Sequence, residues 1–293
     1  MRSIALTNQK GGVGKTTSAA NMGACLAMLD RKILLVDIDP QANLSIHFGA
    51  DVYTDAKSVY DMMIGEARAE EIVWHTQVKQ LDLLPSNINL AGAEIELVGV
   101  VGRETILKEA LQSIMGNYDY VMIDCPPSLG LLTLNALTTV KEVLIPLQTE
   151  FFALQGMSKL METIRLVRRR LNPELQVTGI LACMYDGRTK LAQEVRANIE
   201  EFFPDKLFAC VIHKNVKLAE SPSHGKPIST YDRNSRGCKD YMALAREVIA
   251  QEERLRQTAA AGTLRTLPVR SEDSGSDGSP QGERAPATQP GSE

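Results

Sequence analysis

The chain lacks any apolar run long enough to cross a bilayer. Its first residues also lack the charged, apolar and small-residue segments of a secretory signal. It has no C-x-x-C pair: Cys25, Cys125, Cys183, Cys210 and Cys238 are scattered, so neither a zinc ribbon nor a disulfide framework is written into it. Isolated thiols of this kind suit a reducing compartment. The four histidines show no metal-ligand spacing, and no internal repeat is visible. An excess of positive charge is missing too, since 32 Lys and Arg stand against 36 Asp and Glu, a net charge of −4. That argues against a wholly basic, nucleic-acid-coating surface, although a local patch can override the overall sign. Met1-Arg2 leads straight into an apolar run, so a separate N-terminal domain is not expected.

Hydrophobic residues at 44% and charged residues at 23% of 293 positions belong to an ordinary globular protein with one large α/β domain. Apolar runs at Ser3–Asn8, Ile33–Asp37, Leu81–Pro85, Tyr120–Asp124, Val143–Leu147, Val177–Cys183 and Phe208–Ile212 read as strands. They are continuous rather than alternating, as strands covered on both faces are. Helical patterns lie at Thr16–Leu29, Glu104–Met115, Met157–Leu171, Ala192–Phe203 and Lys239–Leu255. The alternation predicts a doubly wound, mostly parallel sheet with helices on both faces, forming one domain over residues 1–257. Residues 258–293 are rich in Ser, Gly, Pro, Ala and Thr with a net charge of −2, and are expected to form a disordered acidic tail.

The most informative stretch is Lys10-Gly11-Gly12-Val13-Gly14-Lys15-Thr16-Thr17. It sits between the first strand and the first helix. Its glycines let backbone N–H groups converge on phosphate oxygens at a helix N-terminus, where the helix dipole favours anions. Lys15 is placed to reach the β- and γ-phosphates and the Thr16 hydroxyl to bind Mg²⁺. The general phosphate-loop pattern is not met, because Gln9, next to Lys10, stands where its first glycine would be.

Two carboxylate sites end later strands. Asp124 closes the run Tyr120–Asp124 before Cys125-Pro126-Pro127-Ser128, which suits a carboxylate holding Mg²⁺ beside the phosphate loop. Asp37 and Asp39 end the second strand at spacing two and are expected to point the same way, one ordering the Mg²⁺ shell and the other the attacking water. Residue spacing alone does not separate their roles.

The lysine-fronted loop, Val36-Asp37-Ile38-Asp39-Pro40-Gln41 and Ile123-Asp124-Cys125-Pro126-Pro127-Ser128-Leu129-Gly130 together resemble the ParA/Soj family of partitioning ATPases, with its deviant Walker A motif, over residues 2 to 255. Leu90–Leu97 and Leu218–Ile228 add to the likeness. The resemblance implies ATP and Mg²⁺ as cofactors. It implies a homodimer closed over two nucleotides, with Lys10 crossing to the neighbouring subunit's nucleotide in the manner of an arginine finger. Asp39 matches the aspartate needed for hydrolysis, and Asn215 lies where the family contacts adenine. His213-Lys214 replaces the usual Pro-Arg before that asparagine.

The resemblance further implies non-specific binding of double-stranded DNA by the ATP dimer, release on hydrolysis, a ParB-like partner that stimulates slow turnover, and a cytoplasmic, nucleoid-associated location. The DNA-binding candidates are Arg188, Lys190, Lys214 and Lys217. Lysine in place of arginine at 217 still neutralises phosphate, as a point charge without the planar fork. The alternative is a MinD-like membrane-associated ATPase. Against it, the last helical pattern mixes Glu247, Glu252 and Glu253 with its bases, so no membrane partner is expected. A nitrogenase-like iron protein would need a cluster bridged by cysteines, for which Cys125 is the one suggestive residue.

Overall fold

The computed structural model describes residues 1–150 and 153–265. The first half of the chain runs β1 (Arg2–Leu6), α1 (Lys15–Ala27), β2 (Ile33–Asp37), α2 (Asn43–His47), α3 (Val59–Met63), α4 (Ala69–Ile72), β3 (Trp74–His75), β4 (Leu81–Leu84), α5 (Leu90–Glu96) and α6 (Ile106–Met115). The second half runs β5 (Tyr120–Asp124), α7 (Leu131–Thr139), β6 (Glu142–Gln148), α8 (Ala153–Arg170), β7 (Gln176–Tyr185), α9 (Lys190–Phe202), β8 (Leu207–His213), α10 (Val216–Glu220), α11 (Ile228–Tyr231) and α12 (Arg236–Arg265). The eight strands form one sheet in the order β3-β4-β2-β5-β1-β6-β7-β8. All neighbours are parallel except β3 and β4.

Alternation along each strand explains why the apolar runs are unbroken. Ile33, Leu35, Tyr120 and Met122 pack into the core that holds α1 and the first turns of α12. Leu34, Val36, Val121 and Ile123 pack into the core on the other face, with α6, α7 and α8. Both layers exclude water, so neither face of the strand tolerates a polar residue. One buried ion pair ties the N-terminal edge of this assembly. The Arg2 guanidinium donates to Glu142 at 2.8 and 2.5 Å and to the Val248 carbonyl at 2.6 Å, while the Thr178 hydroxyl donates to Glu142 at 2.5 Å.

β8 is an edge strand whose outward backbone groups are occupied. Ala209 and Cys210 donate their N–H groups to the Glu247 carboxylate at 2.8 and 3.1 Å, and Arg196 donates to the Ala209 carbonyl at 3.4 Å. The apolar stripe of α12 (Tyr241, Leu244, Ala245, Val248) is consumed in the core. No helix among the described residues is long and apolar enough to cross a membrane.

The chain divides into two units, Met1–Gln251 and Glu252–Glu293, and the sheet and the site belong to the first. α12 begins three residues before the patterned helix and continues to Arg265, through Ala259-Ala260-Ala261, the strongest helix formers available. The rest of the expected tail lies outside the described residues.

Candidate nucleotide site

The carboxyl ends of β1, β2, β5 and β6 meet at one rim, where ligands bind in open α/β sheets. β1 leaves the sheet at Leu6. Asn8 then anchors the loop, its side-chain amide donating to the Pro146 carbonyl at 2.8 Å and its oxygen accepting from the Lys10 N–H at 3.1 Å. Gly12 and Gly14 take positive φ of 73° and 93°, and Gly14 is the residue from which α1 starts. Side-chain-bearing residues are strained there, so the glycines are needed for the loop to curl.

The loop walls a chamber of about 390 Å³ with Gly11, Lys15, Thr16, Asp39, Gln41 and Pro127. Gly14, Thr17 and Met184 belong both to this chamber and to a second, largely apolar one of about 300 Å³ that Asn215, Lys214, Ile212 and Tyr241 line. A polar chamber opening onto an apolar one matches a triphosphate and its base. Lys15 is buried, whereas Lys10 is not part of the chamber wall. Its side chain is 45% exposed and its ammonium rests on Glu150 at 2.5 Å.

Asp37 and Asp124 stand side by side as register partners at the ends of β2 and β5. They live in different surroundings. Asp37, whose pKa burial pushes up to about 7, accepts from the Ser45 N–H at 2.9 Å, the Ser45 hydroxyl at 2.7 Å and the Asp39 N–H at 3.1 Å, and so is bonded to the start of α2. Asp39 lies just beyond the strand, accepts from the Gln41 N–H at 3.0 Å and is the one of the two that lines the chamber. The two carboxyl groups thus differ in setting, Asp37 bonded into α2 and Asp39 lining the chamber.

Asp124 is fully buried, and neither carboxylate oxygen has a hydrogen-bond partner. Burial, then the charge of Asp37, pushes its pKa well above the usual carboxylate range. The Thr16 hydroxyl, whose contact falls outside hydrogen-bond geometry, and the Lys15 charge pull the other way. An orphaned carboxylate beside the Thr16 hydroxyl, with Asp39 on the same chamber, is a donor set of hard oxygens that fits Mg²⁺. Cys125 is fully buried and turned toward the Ile123 carbonyl at 3.9 Å, a poor station for a thiolate that must bridge two subunits.

Asn215 lines the apolar chamber, but its side-chain oxygen caps α10 by accepting from the Lys217 N–H at 2.8 Å. His213, where proline is usual, uses an N–H that proline lacks. Its backbone and its ring Nδ1 both meet Asp240, at 2.9 and 3.0 Å. Arg188 and Lys190 follow β7, and Lys214 and Lys217 follow β8, whose ends are neighbours in register. Two of these cations are occupied within their own turns: Arg188 makes a two-pronged pair with Asp186, and Lys217 pairs with Glu220 at 2.9 Å.

Two contributors escaped sequence reasoning. Met184 joins the chambers because a bulge gives it a φ of 51°, for which an ordinary apolar run offers no signal. His47 walls the phosphate chamber from α2, and burial lowers its pKa to about 4, leaving it neutral.

An AAA domain family model matches residues 1–177, the stretch from β1 into β7 that contains the loop and all three aspartates. The sporulation initiation inhibitor protein Soj of Bacillus subtilis is 51% identical over 247 residues, covering 84% of this chain and 98% of that protein. The chain belongs to the ParA/Soj family of chromosome-partitioning ATPases. A second relative, the chromosome-partitioning ATPase Soj of Treponema pallidum, is 48% identical over 251 residues, with 86% and 98% covered. Among solved structures, cobyrinic acid a,c-diamide synthase of Mycobacterium smegmatis with bound ADP and magnesium superposes with a TM-score of 0.77 at 36% identity, over 86% of this chain and 95% of that one. The ParA/Soj assignment covers the sheet and both chambers.

Proposed function

We propose that this ParA/Soj chain is an ATP-driven dimer switch for DNA segregation. Two copies close over two ATP molecules, each lending Lys10 to the nucleotide of the other. The observation that carries this reading is the contrast between the loop's two lysines. Lys15 is buried in the wall of its own phosphate chamber, whereas Lys10 stands outside that wall, half-exposed on a weak surface pair with Glu150. Exposed pairs of this kind are worth about 0–1 kcal/mol, so Lys10 is released at little cost when a phosphate of a second subunit comes within reach.

Within each subunit, Lys15 and the loop N–H groups hold the β- and γ-phosphates. Thr16 and Asp124 are the residues that would hold Mg²⁺, with Asp39 at the edge of its shell; when bound, the ion neutralises charge on the phosphate oxygens. Asp39 also orients the attacking water, for which its position at the chamber wall suits it. Asn215 meets the base with its amide donor, since its oxygen serves α10.

The dimer doubles the cation cluster of Arg188, Lys190, Lys214 and Lys217, which gathers avidity for the phosphates of double-stranded DNA without new contacts. The ion pairs to Asp186 and Glu220 are exposed and exchange readily for phosphate. Hydrolysis dissolves the dimer and frees the DNA, and a ParB-like partner speeds that step.

The test is Asp39→Ala against Lys10→Ala, each in ATP and Mg²⁺, followed by light scattering and by DNA retention at two salt concentrations. The first variant accumulates as a DNA-bound dimer and the second stays monomeric. An Asp39→Ala protein that remains monomeric, or a Lys10→Ala protein that dimerises as the wild type does, overturns the reading.

A further inference from the structure

Charge is sorted around the first turns of α12. The acids there are spent on β8: Asp240 accepts from the His213 N–H and ring at 2.9 and 3.0 Å, and Glu247 from the Ala209 and Cys210 N–H groups at 2.8 and 3.1 Å. Lys239 and Arg246 stand on a neighbouring stripe with Met242, two helical turns and so about 10.5 Å apart. With Arg233, Met28 and Cys238 they wall an open pocket of about 330 Å³ that contains no carboxylate. All three cations are exposed, and none forms an ion pair among the described residues. Arg188 and Lys217, by contrast, are held by Asp186 and Glu220.

The pocket adjoins Lys217. The Lys217 ammonium lies 5.8 Å from the centre of the Tyr231 ring, and the Tyr231 hydroxyl donates to Glu220 at 3.1 Å. Arg233 follows two positions after Tyr231, which keeps their Cα atoms within about 7 Å. Tyr231 thus joins Lys217 on one side to the three-cation pocket on the other.

We propose that the pocket of Arg233, Lys239 and Arg246 is a second contact site for the phosphate backbone of double-stranded DNA, beside the cations at the ends of β7 and β8. This site rests on the reading that the ATP dimer binds DNA. Its cations have no ion pair to give up, so a phosphate displaces only water and counterions around them. Duplex DNA carries one charge per about 1.7 Å of its axis, and about six phosphates therefore pass along the span from Lys239 to Arg246. Backbone contacts position a duplex without reading its bases, and long, exposed cations around an open pocket suit that task. A membrane surface fits less well. Met28 and Met242 are the pocket's main apolar offering, because Tyr241, Leu244, Ala245 and Val248 are consumed in the core.

The experiment measures retention of a random-sequence duplex by the full-length protein in ATP and Mg²⁺ across a salt series. Lys239→Gln combined with Arg246→Gln is compared with Lys79→Gln combined with Lys108→Gln, which makes the same charge change at exposed lysines of the β3–β4 turn and α6. Each phosphate contact contributes about 0.9 to the slope of log K against log salt. The first pair should lower that slope by about 1.8 per bound chain, and on the counterion effect alone weaken binding about 60-fold per chain at 0.1 M salt. The second pair should leave both unchanged. Light scattering should show the Lys239→Gln, Arg246→Gln protein dimerising as the wild type does; loss of the dimer assigns these cations to self-association and overturns the proposal. Wild-type slope and affinity in that protein overturn it, as does an equal change in the Lys79→Gln, Lys108→Gln control. Flotation with phosphatidylglycerol vesicles tests the other anionic surface. Vesicle binding that the Lys239→Gln, Arg246→Gln pair abolishes, with DNA retention unmoved, overturns it too. A wild-type protein that retains no DNA in ATP removes the DNA reading itself, a result distinct from all of these.

Discussion

Asp124→Asn separates the metal role of this residue from its role in the fold. An ionised carboxylate with no partner and 0% exposure is penalised by several kcal/mol even after relaxation. A neutral amide of the same shape costs about 1–3 kcal/mol in that position. The difference, on the order of 2 kcal/mol, is the expected gain in stability of the ligand-free variant at pH 8. For a domain of this size that is about 4–8 °C in Tm. The sign has a pH signature. Because the folded-state pKa of Asp124 is raised, the native protein binds more protons than the unfolded chain above about pH 3.9. Wild-type stability therefore falls as pH rises through that window, toward the raised folded value, and the variant loses this part of the slope.

The ligand arm runs the opposite way. Saturating ADP at a hundred times its Kd contributes about 2.7 kcal/mol to the wild type. Adding Mg²⁺ should enlarge the shift in the wild type and leave Asp124→Asn nearly unmoved. Differential scanning fluorimetry across pH 5–9, with ADP and with or without Mg²⁺, reads both arms. A variant less stable than the wild type when ligand-free at pH 8, with the full magnesium increment retained, would refute the assignment of Asp124 as an orphan awaiting a cation.

Three further outcomes follow from packing and pairing. Gly179→Ala places a methyl 2.2 Å from the Phe208 ring, so urea unfolding should show a loss of about 1–3 kcal/mol, largely recovered by adding Phe208→Leu. Ser45→Ala removes the hydroxyl that donates to Asp37 and accepts from the Ser86 N–H at 2.9 Å; a loss of about 1–3 kcal/mol, with weaker nucleotide binding by calorimetry, is expected. Glu142→Gln leaves the buried Arg2 charge uncompensated and should cost about 3–5 kcal/mol by the same unfolding assay, whereas replacing both partners with apolar residues costs far less.

The centre of this fold is legible in the chain because burial on both faces forces unbroken apolar runs. Ile33–Asp37 and Tyr120–Asp124 form β2 and β5 residue for residue. The phosphate loop is legible for a related reason, since few backbones other than a glycine-rich turn before a helix accept phosphate. α7 is hidden by its polar residues. Thr133, Asn135, Thr138 and Thr139 are buried, and Thr138 and Thr139 return their hydroxyls to carbonyls four residues back at 2.7 Å, so polarity does not mark an outer face. β3 is hidden by brevity, two residues paired on an edge. The division of labour between Asp37 and Asp39 depends on Ser45, eight residues past Asp37 and in another element. The Asp240 clamp on His213 joins groups 27 positions apart, beyond any local pattern.

The margins of the sheet bear on how copies of this chain can gather. At one border Glu247 and Arg196 sit on the backbone groups that a foreign strand would seek, and at the other a two-residue antiparallel stub ends the ladder. Neither border offers a template for fibrous growth, even where many molecules crowd together. Strand-to-strand addition of further copies is therefore disfavoured at both margins.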